Sequence, residues 1–162
     1  MIVRPARLSD AAEMTVLINE IIAAGGTTAY EDPFTGDSMA ANYIAAPLLI
    51  ACHVAEVDGK VQGFQALWHP RPDSAVPDGW AIIATFAKLG GSQRGIGSAL
   101  FEATKTAARA AGVTTIDATI RADNSGGLAF YSSRGFVDYD RLIDVPLKDG
   151  RPVDRVRKRF DL

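Results

Sequence analysis

A glycine-rich segment between a buried strand and a helix constrains this chain more than any other feature. Trp80–Ala87 is an apolar run that predicts a buried strand, and from Ile96 onward apolar residues recur every three or four positions, which predicts a helix. The first N–H groups of such a helix lack intrahelical partners, and the helix dipole adds positive potential there. Gly95 and Gly97 would let an anion approach the backbone, and Arg94 adds a cation. The junction therefore predicts a phosphate site, although these residues alone leave open a glycine-softened turn that binds nothing.

Two common phosphate-binding patterns do not fit this segment. The Walker pattern ends in Gly-Lys-Ser/Thr, whereas the corresponding residues here are Gly95-Ile96-Gly97-Ser98, without a lysine. The dinucleotide fingerprint G-x-G-x-x-G requires a third glycine where this chain has Leu100.

Residues 92–97 (SQRGIG) instead resemble the pyrophosphate loop of the GNAT superfamily of acyl-CoA-dependent N-acyltransferases, which is usually written Arg/Gln-x-x-Gly-x-Gly/Ala. Ser92 departs from that pattern, and Gln93 and Arg94 offer side-chain donors in its place. The resemblance implies that acetyl-CoA is the co-substrate and that its pyrophosphate binds the backbone of residues 93–98.

A second segment carries the same resemblance. Residues 124–136 (NSGGLAFYSSRGF) are similar to the GNAT pattern Asn-x-x-Ala-x-x-x-Tyr-x-x-x-Gly-Phe, with Gly127 in place of the alanine. The resemblance implies that Tyr131 is the general acid that protonates the departing thiolate and that Asn124 hydrogen-bonds the pantetheine arm. Read alone, Asn124 would cap a helix and Tyr131 would pack in the core. The two motifs together favour the functional interpretation.

The order of predicted elements agrees with the GNAT fold: a strand, one or two helices, three strands, a helix, a strand, a helix and two strands. Asp58-Gly59 predicts a tight hairpin between Leu48–Val57 and Val61–Trp68, and Ser9, with Glu13 after it, predicts the start of the first helix. We expect an α/β fold with a mixed sheet and helices on both faces, as one domain over residues 1–162. In this fold the strand before the loop parts from its neighbour, and its free backbone groups pair with pantetheine. The resemblance thus assigns cofactor binding to Thr85, Phe86, Ala87, Gln93, Arg94, Gly95, Ile96, Gly97, Ser98, Asn124 and Tyr131.

The general base is not evident from the sequence. Many relatives carry a glutamate on the strand before the loop, and the matching position here is Ile82. Glu31, Asp32, His53, His69 and Asp73 remain as candidates for a base or a substrate contact. We single out Glu31, in a loop that resembles the substrate loop of the phosphinothricin acetyltransferase-like branch, and His69, just after a predicted strand. Proton transfer through ordered water is a third route.

Composition and charge limit which partners, metals and cellular locations we expect for this protein. Charged residues make up 22% of the 162-residue chain and the formal net charge is −2, which disfavours a nucleic-acid partner. Alternation in the basic segment Arg151–Arg159 predicts the solvated face of a strand. Two histidines and one cysteine lack metal-ligand spacing, so we expect no metal. Cys52 is expected to be buried and reduced, no apolar run reaches membrane-spanning length, and we expect a cytoplasmic protein.

The resemblance implies an N-acetyltransferase that moves an acetyl group from acetyl-CoA to a primary amine of a small, amino-acid-like molecule, and without an evident covalent nucleophile we expect direct attack in a ternary complex. The alternatives are a sensor that binds acyl-CoA without catalysis, an acetyltransferase acting on a protein amine, and an interaction module that only keeps the fold. The resemblance also suggests a homodimer, because relatives often pair through their sheets.

Overall fold

The computed structural model describes residues 1–91 and 93–162, so Ser92 lies outside the described residues. The predicted mixed sheet with helices on both faces is confirmed. In chain order the elements are β1 (Ile2–Pro5), a short 3₁₀ turn (Leu8–Asp10), α1 (Ala11–Ala24), α2 (Gly36–Tyr43), β2 (Leu49–Val57), β3 (Lys60–Trp68), β4 (Trp80–Ala87), α3 (Ile96–Ala110), β5 (Thr115–Arg121), α4 (Ser125–Ser133), β6 (Val137–Pro146) and β7 (Pro152–Asp161).

The strands form one seven-stranded sheet in the order β1-β2-β3-β4-β5-β7-β6. The β4–β5 pair is parallel and the other neighbouring pairs are antiparallel. The predicted hairpin is confirmed: Asp58 and Gly59 have φ values of 51° and 74°, the positive values that a tight two-residue turn requires.

Helices cover the two faces of the sheet separately. On one face, α1 and α2 bury apolar side chains such as Met14 and Met39 against Phe64 and Phe86. On the other face, Phe101 and Ala108 of α3 pack on a second group of strand residues that includes Ile116. Residues of β4 therefore alternate between two cores: Ala84 and Phe86 face α1 and α2, whereas Ala81 and Ile83 face α3.

The most consequential feature of the sheet is the point at which β4 and β5 part. Their pairing covers Trp80–Thr115, Ala81–Ile116 and Ile82–Asp117, and the described residues contain no β4–β5 pair beyond it. The pairing of β4 with β3 continues to Ala87 without a register shift. Residues 83–87 are thus bound to the sheet along one side only. The parting of these strands that the resemblance implies is present.

The start of α1 differs from the sequence expectation. The helix begins at Ala11, and it is Asp10, not Ser9, whose carboxylate accepts the Arg7 N–H at 2.7 Å. Asp10 also pairs with the Arg4 guanidinium, which lowers the pKa of that carboxyl. Glu13 makes no capping contact but accepts the N–H of Val61 at 2.9 Å, so it joins α1 to β3. Local sequence spacing cannot predict that the Glu13 carboxylate will bind a backbone N–H of the sheet.

The expectation for the basic segment near the C-terminus is wrong. β7 buries Arg157 and Lys158 instead of presenting a solvated face, because the Tyr139 ring packs on the Arg157 guanidinium and α4 covers Lys158. The Arg157 Nε atom lies 3.5 Å from an oxygen of the buried Asp117, and the Lys158 ammonium pairs with Asp138 and donates to the Ser132 hydroxyl at 3.0 Å. Alternation reports which residues share a face, but it does not report whether another element covers that face.

Two further expectations concern Cys52 and the membrane. Cys52 is buried in β2, as predicted, and burial raises the pKa of its thiol to about 12. Among the residues that the structure describes, no helix has the length and apolar character needed to span a bilayer.

The buried charges of β7 give a stability prediction. Arg157→Leu should lower the free energy of unfolding by about 3 kcal/mol, because it leaves the Asp117 carboxylate buried without its cation. Arg141→Leu is the control, since Arg141 sits in an exposed ion pair with Asp154 and its side chain is 53% exposed. Urea unfolding measures both. Equal midpoints for the two variants would show that the Arg157 pair does not stabilise the fold.

Candidate functional site

A cleft of about 590 Å³ opens where β4 and β5 part, and we call it the strand cleft. Several elements contribute to its lining: residues 27–30 of the α1–α2 loop, residues 83–87 of β4, Gly95, Gly97 and Ser98 at the start of α3, residues 119–121 of β5, and Asn124, Gly127, Phe130 and Tyr131 from α4. The structure thus brings together Thr85, Phe86, Ala87, Gly95, Gly97, Ser98, Asn124 and Tyr131, which the sequence assigned to one site. Gln93, Arg94 and Ile96 do not line the cleft.

The backbone of β4 forms one wall of the strand cleft. Successive strand residues direct their N–H and C=O groups to opposite sides, and β3 pairs with one side of residues 83–87. The other side of residues 83–87 faces the space that opens where β5 diverges from β4. A strand edge of this kind can bind an extended, amide-containing ligand as if the ligand were an added strand.

The start of α3 closes one end of the cleft. Gly95 has a φ of 82°, and a Cβ atom placed on it would meet no heavy atom within 4 Å. The helix that follows is fifteen residues long, and its first N–H groups have no intrahelical acceptors. This open glycine and these donors suit a phosphate group. Arg94 is exposed at the same end and adds positive charge.

Gly97 also has a packing role that the sequence did not suggest. A Cβ atom on Gly97 would lie 2.6 Å from the Phe130 ring, so its hydrogen allows close packing between α3 and α4. The side chain of Ile96 is part of the protein core, where it packs with Ala55 and Leu100. An added Cβ atom would therefore meet open space at Gly95 but the Phe130 ring at Gly97.

Tyr131 lies at the inner part of the strand cleft. Its side chain is buried, and its hydroxyl oxygen lies 2.8 Å from the Thr85 Oγ1 atom. Burial raises the pKa of Tyr131 to about 12, although the hydrogen bond with Thr85 opposes that rise. At neutral pH the phenol therefore carries its proton and can donate a hydrogen bond to a group in the cleft.

Asn124 makes the contacts of a helix cap. Its Oδ1 atom accepts the Gly127 N–H at 2.9 Å, and its Nδ2 group donates to the Thr27 carbonyl at 2.8 Å. The residue thus fixes the start of α4 and holds the α1–α2 loop over the cleft. Gly127 allows this arrangement, because a Cβ atom there would lie 2.5 Å from the Asn124 Nδ2 atom.

A second cavity, which we call the side pocket, adjoins the strand cleft and has a volume of about 770 Å³. Tyr30 and Ala84 line both spaces. His69 lines the side pocket together with Ile82, and Arg71 and Asp73 place charges of both signs on its wall. Sequence reasoning named His69 but did not predict that Arg71 belongs to the same pocket.

Glu31 lies outside both cavities as the structure describes them. Its carboxylate accepts the backbone N–H of Lys148 at 3.0 Å, and the neighbouring Asp32 pairs with the Lys148 ammonium. The two acidic residues therefore attach the α1–α2 loop to the turn between β6 and β7. Of the candidates for a base or a substrate contact, the structure places His69 and Asp73, but not Glu31, beside an open space.

Two polar residues near the site were not identified from the sequence. Asp117 pairs with Ile82 in the last β4–β5 pair, and it is buried against Arg157, the Tyr139 hydroxyl and Thr119. Burial raises the pKa of Asp117, and these partners oppose the rise. The other missed residue, Gln65, is fully buried beside Thr85. The signal available for both was a polar residue inside an apolar strand pattern.

Comparisons with known proteins identify the family. The family described as "Acetyltransferase (GNAT) family" matches residues 18–136, which is most of the chain. The chain belongs to the GNAT family of acetyltransferases. It is accordingly an acetyl-CoA-dependent N-acetyltransferase, and it has the GNAT fold. A search of curated protein sequences finds no match.

Solved structures agree with this GNAT fold over nearly the whole chain. A ribosomal-protein-alanine N-acetyltransferase from Brucella melitensis is 22% identical, with a TM-score of 0.86 and full coverage of both chains. The yncA protein of Salmonella typhimurium, solved with acetyl-CoA, is 22% identical with a TM-score of 0.85 over 99% of this chain and 93% of its own. A phosphinothricin acetyltransferase from Sinorhizobium meliloti in complex with acetyl-CoA is 21% identical, with a TM-score of 0.84 over 99% and 88% of the two chains. At these identities the likeness concerns the fold.

The close contact of Gly97 gives a prediction about helix packing in this acetyltransferase. Gly97→Ala should lower the free energy of unfolding by about 1–3 kcal/mol, because the new methyl group overlaps the Phe130 ring. Combined with Phe130→Leu, the loss should be smaller than the sum of the single losses. Gly126→Ala is the control, since its Cβ atom would meet only the Asn124 Oδ1 atom, at 3.9 Å. Additive losses in denaturant unfolding would exclude this contact as the reason for the glycine.

Proposed function

We propose that this enzyme, acting as a single domain over residues 1–162, transfers the acetyl group of acetyl-CoA to a primary amine of a small, amino-acid-like molecule. The observation that carries this proposal is the meeting of two open spaces, the strand cleft and the side pocket, at Tyr30 and Ala84. An enzyme that joins two substrates directly needs two adjoining sites, because orientation supplies much of its rate enhancement, about 7–11 kcal/mol at best. We therefore infer a ternary complex without a covalent enzyme intermediate.

The strand cleft is the site that we assign to acetyl-CoA. In this proposal the free backbone groups of Thr85, Phe86 and Ala87 pair with the amides of the pantetheine arm. The pyrophosphate lies at the start of α3, near the open face of Gly95 and the charge of Arg94. Bound there, acetyl-CoA supplies the acetyl thioester that an amine can attack. The acetyl-CoA complexes of the Salmonella and Sinorhizobium proteins, which share the fold, support this assignment.

Further contacts to the co-substrate are also proposals. We keep the backbones of Gln93, Ile96, Gly97 and Ser98 in the pyrophosphate loop, because an anion bound at a helix start contacts main-chain N–H groups and not side chains. Asn124 already donates and accepts one hydrogen bond each within the protein. Its oxygen retains a free lone pair for a pantetheine N–H.

The side pocket is the site that we assign to the acceptor amine. Asp73 offers a carboxylate for a substrate ammonium and Arg71 offers a guanidinium for a substrate carboxylate, which together suit an amino-acid-like molecule. We propose His69 as the group that takes a proton from the ammonium, directly or through water. Glu31 then serves the acceptor only indirectly, because it holds the loop that carries Tyr30.

Tyr131 is the general acid in this proposal. Its protonated phenol donates a hydrogen bond toward the sulfur that leaves, and this bond strengthens as negative charge develops there. A phenol with a pKa of about 12 is a weak acid, so hydrogen bonding precedes any full proton transfer. The position of Tyr131 within the strand cleft supports this role.

Two alternatives use the same two sites differently. A sensor that binds acyl-CoA would bind acetyl-CoA in the strand cleft but transfer nothing. An enzyme for protein amines would need the side pocket to admit a peptide end, and the Brucella neighbour is named for a ribosomal protein substrate. We favour a small acceptor because the side pocket carries charges of both signs on one wall.

We propose a cytoplasmic setting and a homodimer as further parts of this function. Cys52 is the single cysteine of the chain and lies buried as a free thiol, which fits a reducing compartment. β6 is an edge strand of the sheet, and its exposed Val137 and Ile143 offer a surface through which two sheets could pair.

A substrate panel tests the proposed function. Calorimetry should show heat of binding with acetyl-CoA alone, and thiol release from acetyl-CoA should accelerate with one or more amino acids or small amines. A panel of peptides with free N-termini and lysines is run beside it. Binding without turnover on any panel would indicate the sensor, turnover on peptides alone would indicate a protein acceptor, and no binding would refute the assignment of the strand cleft.

Substitution of Tyr131 tests the proposed acid. Tyr131→Phe should lower kcat at least tenfold while the Kd for acetyl-CoA changes less than twofold, because the ring and its packing remain. The control is Tyr139→Phe, since Tyr139 donates its hydroxyl to Asp117 and does not line the strand cleft. Unchanged turnover in Tyr131→Phe would contradict the role of its hydroxyl.

A further inference from the structure

A line of buried polar side chains runs along one face of the sheet from α3 to Tyr131. Thr104 lies on the buried side of α3 and is 1% exposed, and Gln65 lies in β3 and is fully buried. Thr85 continues the line in β4 and reaches the Tyr131 hydroxyl. All four side chains project to the sheet face that α3 and α4 cover.

Three hydrogen bonds join these residues. The Thr104 hydroxyl donates to the Gln65 Oε1 atom at 2.5 Å, and the Gln65 Nε2 group donates to the Thr85 Oγ1 atom at 2.8 Å. Thr85 Oγ1 in turn lies 2.8 Å from the Tyr131 hydroxyl oxygen. The outer end of the line reaches the strand cleft, because Thr85 and Tyr131 both line it.

The donor and acceptor atoms of these side chains indicate the direction of the hydrogen bonds along the line. The Gln65 amide directs its oxygen to Thr104, so its nitrogen, which can only donate, meets Thr85. The Thr85 oxygen thereby accepts one hydrogen bond, and its own proton is available to donate to Tyr131, the direction that we adopt. The Tyr131 oxygen then accepts from Thr85 and keeps its proton for a group in the cleft. This donation also opposes the rise that burial causes in the pKa of Tyr131.

Nothing in the surrounding core requires these polar groups. Leu67 in β3 and Ile83 in β4 are apolar residues of the same face, and Leu100 and Ala108 lie one turn of α3 on either side of Thr104. A buried amide would cost stability if it lacked partners, and an apolar residue of the same shape would be the simpler core. The line ends at a residue of the site, which indicates a use there.

We propose that Gln65, held by Thr104, is a positioning residue that orients the Thr85 hydroxyl so that Tyr131 donates its proton into the strand cleft. This inference rests on the role of Tyr131 under the proposed function. Gln65 itself does not line the strand cleft, so it acts on the reaction through Thr85 and Tyr131.

A double-mutant cycle tests the inference with the amine that gives the fastest thiol release in the panel. Gln65→Met keeps an unbranched side chain of similar length but removes both polar atoms. It should lower kcat by about tenfold, near the loss expected for one hydrogen bond, and change the Kd for acetyl-CoA less than twofold. In a Tyr131→Phe background the same change should alter kcat less than twofold, because the hydroxyl to be oriented is gone. Equal losses in both backgrounds would overturn the inference and leave a structural role.

Thr104→Val supplies a second variant that does not depend on replacing a strand residue. Valine matches the shape of threonine, and we expect a smaller loss of kcat than in Gln65→Met, again only when Tyr131 is present. Thr106→Val is the control, since Thr106 is exposed on the same helix and donates to the Glu102 carbonyl. A loss of kcat in the control as large as in Thr104→Val would also overturn the inference.

A spectroscopic measurement on the protein without acetyl-CoA completes the test. The ¹³Cζ resonance of Tyr131 is assigned by its absence in Tyr131→Phe. It should shift in Gln65→Met and in Thr104→Val, but not in Thr106→Val. If Tyr131→Phe lowers kcat while Gln65→Met leaves both kcat and this resonance unchanged, the inference fails and the proposed acid remains. If Tyr131→Phe itself has no effect, both fail.

Discussion

The backbone hydrogen bonds that β4 does not make organise this protein. After Ile82 and Asp117 the two parallel strands separate, and residues 83–87 retain partners only in β3. Unpaired main-chain groups inside a protein are unfavourable unless something satisfies them, and a free strand edge readily recruits another chain or ligand. The GNAT fold thereby presents an interior edge to the strand cleft and not to other proteins. The start of α3 and one face of α4 stand at the same opening, so the donors of a helix end and of a strand edge converge.

Close packing between α3 and α4 shapes this opening. Gly97 brings the Phe130 ring to the surface of α3, and Tyr131, the next residue, then projects inward to Thr85. The Asn124 cap holds the other end of α4 and fastens the loop at Thr27. A residue that looks from the sequence like a ligand contact can therefore act through the shape of the site. Gly97 and Asn124 illustrate this, because Gly97 allows α4 to pack closely on α3 and Asn124 caps α4.

The half of the sheet beyond the opening is held by buried charges as well as by apolar packing. Asp117, Arg157 and Lys158 are buried in β5 and β7, where an ordinary core would have aliphatic residues, and Lys158 pairs with the exposed Asp138 of β6. Such pairs stabilise little in themselves, but they are costly to break. Local alternation in β7 was compatible with either a covered or an exposed face, and the Tyr139 side chain and α4 supply the cover. The same limit applied to Asp10 and Glu13, whose partners come from other elements.

Local chemistry in the sequence determined the elements, the hairpin at Asp58-Gly59 and the junction before α3, because glycine turns and apolar periods act over a few residues. The resemblance to the GNAT motifs, and not local spacing, predicted that Thr85, Gly95 and Tyr131 share one site. Only the tertiary structure decided which groups meet across the sheet: that Gln65 reaches Thr85, that His69 lines a pocket whereas Glu31 binds the Lys148 backbone, and that β7 is covered. These contacts join residues far apart in the chain. Their partners are set by strand order and by the parting of β4 from β5, which no local pattern specifies.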